Sequence, residues 1–77
     1  MHHEHVREKM EVVGSDGKHI GTVDHMEGDD FVKLSKKGPS AGGKHHLIPV
    51  EWVERVDDKV HLNKSAVEAV AQWRTAA

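Results

Sequence analysis

The chain has 77 residues, with 11 Lys and Arg against 13 Asp and Glu, a formal net charge of −2, eight His and no Cys. This length predicts one small domain with a thin core, and the lack of Cys excludes disulfides and thiolate metal sites within the chain. The acidic balance argues against nucleic acid as a partner, and no apolar run approaches the roughly 20 residues that a membrane helix needs. We therefore expect a soluble, cytoplasmic protein.

The first nine residues predict a mobile N-terminal arm, because they carry one aliphatic residue, Val6, and no capping signal. Met1-His2-His3 offers a free amine, two backbone amides and an imidazole at the third position, a set that can wrap Cu(II) or Ni(II) in a square plane. His3 is therefore a candidate metal ligand. A polar arm without a metal is the alternative interpretation. Residues 10–77 are then a single domain.

Two β-branched runs on either side of Ser15-Asp16-Gly17 predict a hairpin. Asp tolerates the left-handed region of backbone space and Gly enters it without steric cost, which makes Asp16 and Gly17 the turn residues. The second strand of this hairpin runs from Lys18 to about Met26. Gly21, inside that strand, predicts a bulge or a bend.

Residues 31–36 follow a turn over residues 27–30 and alternate apolar and polar side chains from Val32 onward, and this period predicts a third strand. The loop that follows, residues 37–44, contains three Gly and one Pro and has no apolar periodicity. It is the longest irregular segment and thus the best candidate for a flexible binding loop. Its candidate contact residues are Lys37, Gly38, Gly42, Gly43 and Lys44.

The next strand begins at His45 and stops at Pro49, which lacks the N–H that a strand ladder needs. Residues 50–53 predict a single helical turn. Residues 54–56 and 59–62 flank an Asp pair and predict the final hairpin.

A C-terminal helix is predicted over residues 65–74. Ser65 is a suitable N-cap, and Glu68 three residues later completes a capping box. Apolar residues recur at helical spacing and define a face that must be buried, namely Ala66, Ala69, Val70 and Trp73.

Short strands with turn signals about every ten residues, followed by one amphipathic helix, predict an all-β protein. The predicted architecture is a small five- or six-stranded β-barrel with a C-terminal α-helix. A barrel of this size is filled by its own side chains and leaves little concave volume for a substrate. The predicted core residues are Val12, Ile20, Val23, Phe31, Leu34, Ile48, Val53, Val56, Val60 and Leu62.

Three segments resemble the PRC-barrel superfamily: VGSDGKHIGTV at residues 13–23, IPVEWV at residues 48–53, and VHL at residues 60–62. The first matches a DG-x-x-(I/L)-G-x-V hairpin and the second an IP-x-x-x-V strand end. This superfamily is named for the photosynthetic reaction centre H subunit and includes a domain of the ribosome maturation factor; the chain looks most like its small stand-alone bacterial members of unknown function. The resemblance implies a six-stranded barrel that works through protein contacts or in pairs, with structural roles for Asp16, Gly17, Gly21 and Pro49.

The histidines raise the question of a metal site or a pH response. Adjacent strand residues point to opposite faces, so His45 and His46 should not bind one ion together, and Asp24 should point away from His25. No local spacing places two ligands on one face, and scattered polar histidines on strand surfaces are the alternative interpretation. The candidate ligands besides His3 are His19, His25, His45, His46 and His61.

The combined observations predict a non-enzymatic protein-binding or assembly module. A homodimer is the expected state, with an unidentified protein as a further partner, no cofactor, and no catalytic residue. The predicted interface contains both Trp residues and one aliphatic residue of the helix: Trp52, Val70 and Trp73. A His-dependent metal-binding or pH-responsive protein is the alternative function.

Overall fold

The computed structural model describes residues 6–37 and 41–75, and most of the regular structure in this part of the chain is β-strand. Among these residues there are one α-helix and one 3₁₀ turn, the latter over Val50–Trp52. The prediction of an all-β protein is confirmed. The elements in chain order are β1 (Glu11–Val13), β2 (His19–Glu27), β3 (Phe31–Leu34), β4 (His46–Pro49), β5 (Val53–Val56), β6 (Lys59–Leu62), α1 (Ala66–Gln72) and β7 (Arg74–Thr75).

The seven strands of the described residues form one sheet in the order β5-β6-β1-β2-β3-β4-β7. Strands β1 and β6 are parallel, with Glu11 opposite Lys59, and the other neighbouring pairs are antiparallel. The nine-residue β2 is the longest strand, and it pairs with β1 through its first half and with β3 through its second half. It therefore joins the two halves of the sheet.

The predicted closed barrel is not formed by the described residues, because β5 and β7 stand at opposite ends of the hydrogen-bonded order. The physical reason lies between β4 and β5. Pro49 has no N–H to donate, and residues Val50–Trp52 are in a 3₁₀ turn, so the chain leaves the ladder of β4 before β5 begins. The predicted helical turn after Pro49 is present and separates β4 from β5, and the outer edge of β4 pairs with β7 instead of β5.

The core contains the aliphatic residues that face inward from both halves of the sheet, with Val12, Val32, Ile48 and Val60 fully buried. The prediction is wrong at Phe31, which is half-buried with the Arg74 guanidinium 5.4 Å from its ring centre, whereas its neighbour Val32 is in the core. Since adjacent strand residues face opposite sides, only one of the two could be inside. Val56 is likewise half-buried.

The start of α1 lies directly against the β1–β2 hairpin. Ser65 caps the helix by accepting a hydrogen bond from the Glu68 N–H, and the Glu68 carboxylate accepts one from the Ser65 N–H, which holds the Glu68 pKa below its usual value. A Cβ atom on Gly14 would lie 2.5 Å from the Ala66 nitrogen. The backbones of the hairpin and of α1 can therefore meet only because residue 14 has no side chain.

The helix is shorter than the predicted span of residues 65–74. It ends at Gln72, and Trp73 is the extended C-cap. Residues Arg74 and Thr75 then form β7, which pairs with Leu47 and His46 of β4. Backbone hydrogen bonds to β4 replace the last helical turn, so the apolar spacing that reaches Trp73 overestimates the helix.

The turn between β5 and β6 is organised by the Asp57 carboxylate. It accepts a hydrogen bond from the Lys59 N–H at 2.9 Å, and the His61 Nε2 lies 2.9 Å from the same oxygen. These contacts, the backbone hydrogen bond first among them, hold the pKa of Asp57 well below its usual range. The Asp57 carboxylate therefore stabilises the β5–β6 hairpin through these local contacts.

We expect Gly14→Ala to destabilise the fold by about 1–3 kcal/mol, because the added methyl group overlaps the Ala66 backbone and a helix backbone cannot yield as a flexible side chain can. Urea unfolding followed by Trp fluorescence measures the free energy of unfolding. Gly17→Ala is the matched control: its φ of +83° strains any side chain, but its Cβ would meet no atom within 4 Å. A Gly14→Ala protein as stable as the wild type would contradict the close contact.

The second prediction concerns Asp57→Asn, which should destabilise the protein at pH 7. Because the folded-state pKa is lowered, the carboxylate stabilises the fold above the unfolded pKa of about 3.9, and this contribution is lost as the pH falls below that value. The difference between the urea midpoints of wild type and variant should therefore become smaller from pH 7 to pH 3, and it disappears only below the folded-state pKa. Asp29→Asn, a change at an exposed Asp in the β2–β3 turn, is the control, and a constant difference between wild type and Asp57→Asn across this range would contradict the electrostatic origin.

Candidate functional site

A groove of about 610 Å³ opens beside the second half of β2. Its walls come from β2, from the residues that follow β3, from His45 before β4, and from the turn that precedes β1. A concavity of this size was not expected from the sequence. Its lining residues are mostly polar or charged: Glu8, Lys9, Thr22, Val23, Asp24, His25, Ser35, Lys36, Lys37 and His45.

Backbone hydrogen bonds hold three of these four segments together. Val23 donates to the Met10 carbonyl and accepts from the Lys9 N–H, both at 2.8 Å, while the Ser35 N–H donates to the Thr22 carbonyl at 2.7 Å. The segment from Val6 onward is thus attached to β2, and Val6 itself is in the core. Residues 1–5 of the predicted arm, including the candidate ligand His3, lie outside the described residues.

The backbone is irregular at two positions of the groove. The pairing of β2 with β3 shifts register between Val23 and His25, which leaves Asp24 as an extra residue on β2. Lys9 has a φ of 70°, and among the described residues it is the one non-glycine residue with positive φ. Bulges and left-handed residues of this kind redirect side chains, and they concentrate near functional sites.

The bulge overturns the expectation that Asp24 and His25 point apart. Their side chains meet, with Asp24 Oδ2 at 2.8 Å from His25 Nδ1, and Glu27 Oε1 lies 3.4 Å from His25 Nε2. A regular strand would have separated them; the extra residue rotates one side chain toward the other. Both ring nitrogens of His25 therefore face carboxylates.

The adjacent histidines at the start of β4 lie in different environments. His45 borders the groove, and its Nδ1 is 2.9 Å from the Leu34 carbonyl; because a carbonyl only accepts, Nδ1 carries the proton. His46 is only 7% exposed, with Nε2 at 2.9 Å from the Ala41 carbonyl and Nδ1 at 3.4 Å from Thr75 Oγ1. The His46 side chain links the end of the 37–44 loop to β7.

The candidate metal ligands do not converge. In residues 6–37 and 41–75, no three His, Asp or Glu side chains are arranged to hold a metal ion. His61 faces Asp57 and His25 faces Asp24, while His45 and His46 bond to backbone carbonyls. His19, the remaining candidate, is an exposed residue at the start of β2.

The predicted interface residues contact the chain's own core. Trp73 stacks on His46 with ring centres 4.1 Å apart and an interplanar angle of 13°. Trp52 and Val70 are half-buried against the core cluster, and the Lys64 amine lies 5.3 Å from the centre of the Trp52 ring. The exposed apolar residue of the helix is instead Val67, which is 74% exposed.

The residues assigned to turns, bends and the loop take the following positions. Gly17 has a φ of 83°, and the Lys18 N–H donates to Asp16 Oδ1 at 3.3 Å. Gly21 is opposite Val12, next to an irregularity in the β1–β2 pairing. In the predicted loop, Lys37 borders the groove, Gly42 and Gly43 have positive φ, and the Lys44 N–H donates to the Ala41 carbonyl. Gly38 lies outside the described residues.

Lys36, Lys9 and Thr22 are groove residues that the sequence analysis did not single out. The signal available was the Lys36-Lys37 pair next to a glycine-rich loop, but such a run is most often a solvated surface. Backbone hydrogen bonds between residues far apart in the sequence bring these segments together, and neither the register shift at Asp24 nor the turn at Lys9 has a sequence signature.

Comparison with known proteins identifies the family but no function. None of the helices in the described residues has the length and apolar character needed to cross a membrane. No curated protein matches the chain. One family model, described as "uncharacterized protein conserved in bacteria (DUF2171)", matches residues 6–70, which is most of the chain. The chain therefore belongs to this uncharacterized bacterial family, DUF2171.

Proposed function

We propose that this protein is a non-enzymatic assembly module that pairs with a second copy of itself through β5 and binds another protein with the remaining surface. The observation that carries the proposal is the outer edge of β5. Within the described residues this edge has no partner strand, because β5 is the last strand of the sheet beyond β6. Edge strands present unpaired N–H and C=O groups to which a further strand can add.

A bulge in β5 determines which of its side chains face the core. Pairing with β6 shifts register between Val53 and Arg55, so that Val53 opposes Leu62 and Val56 opposes Val60. Leu62 and Val60 are both buried, which places both valines of β5 on the core side. Glu54 and Arg55 are exposed to solvent.

The sequence Val53-Glu54-Arg55-Val56 is self-complementary under antiparallel pairing about a two-fold axis. Val53 of one copy then lies opposite Val56 of the other, and Glu54 lies opposite Arg55. Opposite charges across an antiparallel pair are stabilising and like charges are destabilising. A two-fold axis repeats each contact, as expected for an isologous dimer.

The proposal also retains the resemblance to the PRC-barrel superfamily, whose members often act through protein contacts. That resemblance rests on the Asp16-Gly17 hairpin and on the strand end at Pro49. The open order of the strands leaves edges available for assembly, which closure would remove.

Charge reversal on β5 tests the dimer. Glu54→Arg or Arg55→Glu alone should weaken dimerisation about tenfold or more, since two like-charge pairs then replace two attractive pairs across the axis. The double variant Glu54→Arg/Arg55→Glu should restore the wild-type dimer. Sedimentation equilibrium over a concentration series measures the dissociation constant, with Glu51→Arg, an exposed change in the 3₁₀ turn outside β5, as control.

A wild-type monomer at all concentrations would overturn the proposal. A dimer unaffected by both single reversals would contradict the β5 interface and move the contact to the predicted surface of Val70, Trp73 and Trp52. Because Arg55 Nη1 also lies 3.3 Å from Asp57 Oδ2, thermal unfolding of each variant separates loss of that ion pair from loss of the interface.

A further inference from the structure

We propose that the groove beside β2 binds a small phosphate monoester, with Lys9, Lys36 and Lys37 supplying the charge that holds the phosphate group. This site is independent of β5, and the proposal does not rest on the assembly function. The groove volume of about 610 Å³ is within the range of roughly 300–1,000 Å³ that small-molecule sites occupy.

The lysines reach the groove from two separate segments of the chain. Lys9 comes from the turn before β1, and Lys36 and Lys37 come from the turn after β3. The two segments are far apart in the sequence. The backbone hydrogen bonds from Lys9 to Val23 and from Ser35 to Thr22 bring them together. Charge-assisted hydrogen bonds from ammonium groups are the strong contacts to a phosphate.

One of the two acidic residues that line the groove, Asp24, already has a hydrogen-bond partner. Asp24 Oδ2 lies 2.8 Å from His25 Nδ1, so part of its hydrogen-bonding capacity is used by the imidazole. Asp24 keeps its negative charge, so the groove has two carboxylates, Asp24 and Glu8, against three lysines. The balance of charge at the groove is therefore opposite in sign to the net charge of −2 on the whole chain.

Neutral donors complete the set. Ser35 Oγ accepts a hydrogen bond from the Lys37 N–H at 3.2 Å, which leaves its own O–H free to donate, and the Thr22 side chain also borders the groove. The His45 proton is on Nδ1, bonded to the Leu34 carbonyl, so Nε2 is the nitrogen left for a ligand. It can accept the proton of a singly protonated phosphate.

The left-handed Lys9 and the bulge at Asp24 give the groove its shape. Both features cost conformational free energy, and both border the same groove. Strained and bulged residues that cluster at one place are typical of binding sites.

A small ligand fits these residues better than a nucleic acid strand does. Among the described residues that line the groove there is no aromatic ring other than imidazole, so successive bases would find no Trp, Tyr or Phe on which to stack. A long polyanion would also extend over a surface that is acidic overall. One phosphate group with a short organic substituent avoids both costs.

The test is an amide NMR titration of the full chain with glycerol 3-phosphate, with glycerol as the uncharged control. We expect saturable shifts at the amides of residues 22–25, 35–37 and 45 with the phosphate ester and none with glycerol. Lys36→Gln/Lys37→Gln should weaken binding about tenfold or more, because two charge-assisted contacts are lost. Lys18→Gln/Lys59→Gln, which removes the same charge outside the groove, should leave the dissociation constant unchanged.

Three results would overturn the proposal: no saturable shift, equal weakening in both double variants, or tighter binding of a short single-stranded oligonucleotide at the same amides. The spectrum itself reports whether each variant is folded. Since the readout is assigned residue by residue, it gives the same answer whether the protein is a monomer or a dimer.

Discussion

The fold depends on the close approach of two backbones, where Gly14 of the first hairpin meets the start of α1. A Cβ at residue 14 would lie 2.5 Å from the Ala66 nitrogen, so this contact tolerates glycine alone. It fixes the origin of the helix, and the helix in turn delivers Trp73 to His46 and β7 to β4. The lack of a side chain at Gly14 thus determines how the C-terminal segment packs across the sheet.

Structure that depends on neighbours in the sequence could be predicted. The Asp16-Gly17 turn, the helical turn after Pro49 and the Ser65–Glu68 capping box each rest on residues within a few positions of one another. The two-residue strand β7 could not be predicted in this way, because its partner His46 is far away in the chain and two residues carry no period. The pairing of β7 with β4 also ends the helix earlier than the sequence predicts.

The site was the least predictable part of the molecule. Whether strand histidines share a face depends on register, and the bulge at Asp24 reverses the simple alternation that separates neighbours. The groove depends on the same bulge and on the left-handed backbone of Lys9. Neither feature can be predicted from composition or periodicity. Membership of an uncharacterized bacterial family adds no residue roles, so the chemistry of the groove and the edge of β5 carry the functional argument.

The parallel pairing of β1 with β6 has a consequence for synthesis of the chain. Glu11–Val13 is made before its parallel partner Lys59–Leu62, and residues 14–58 lie between the two strands. At about 5–20 residues per second, the nascent chain keeps one side of β1 unpaired for several seconds. During this interval the free edge of β1 is open to pairing with other strands, which β6 later prevents.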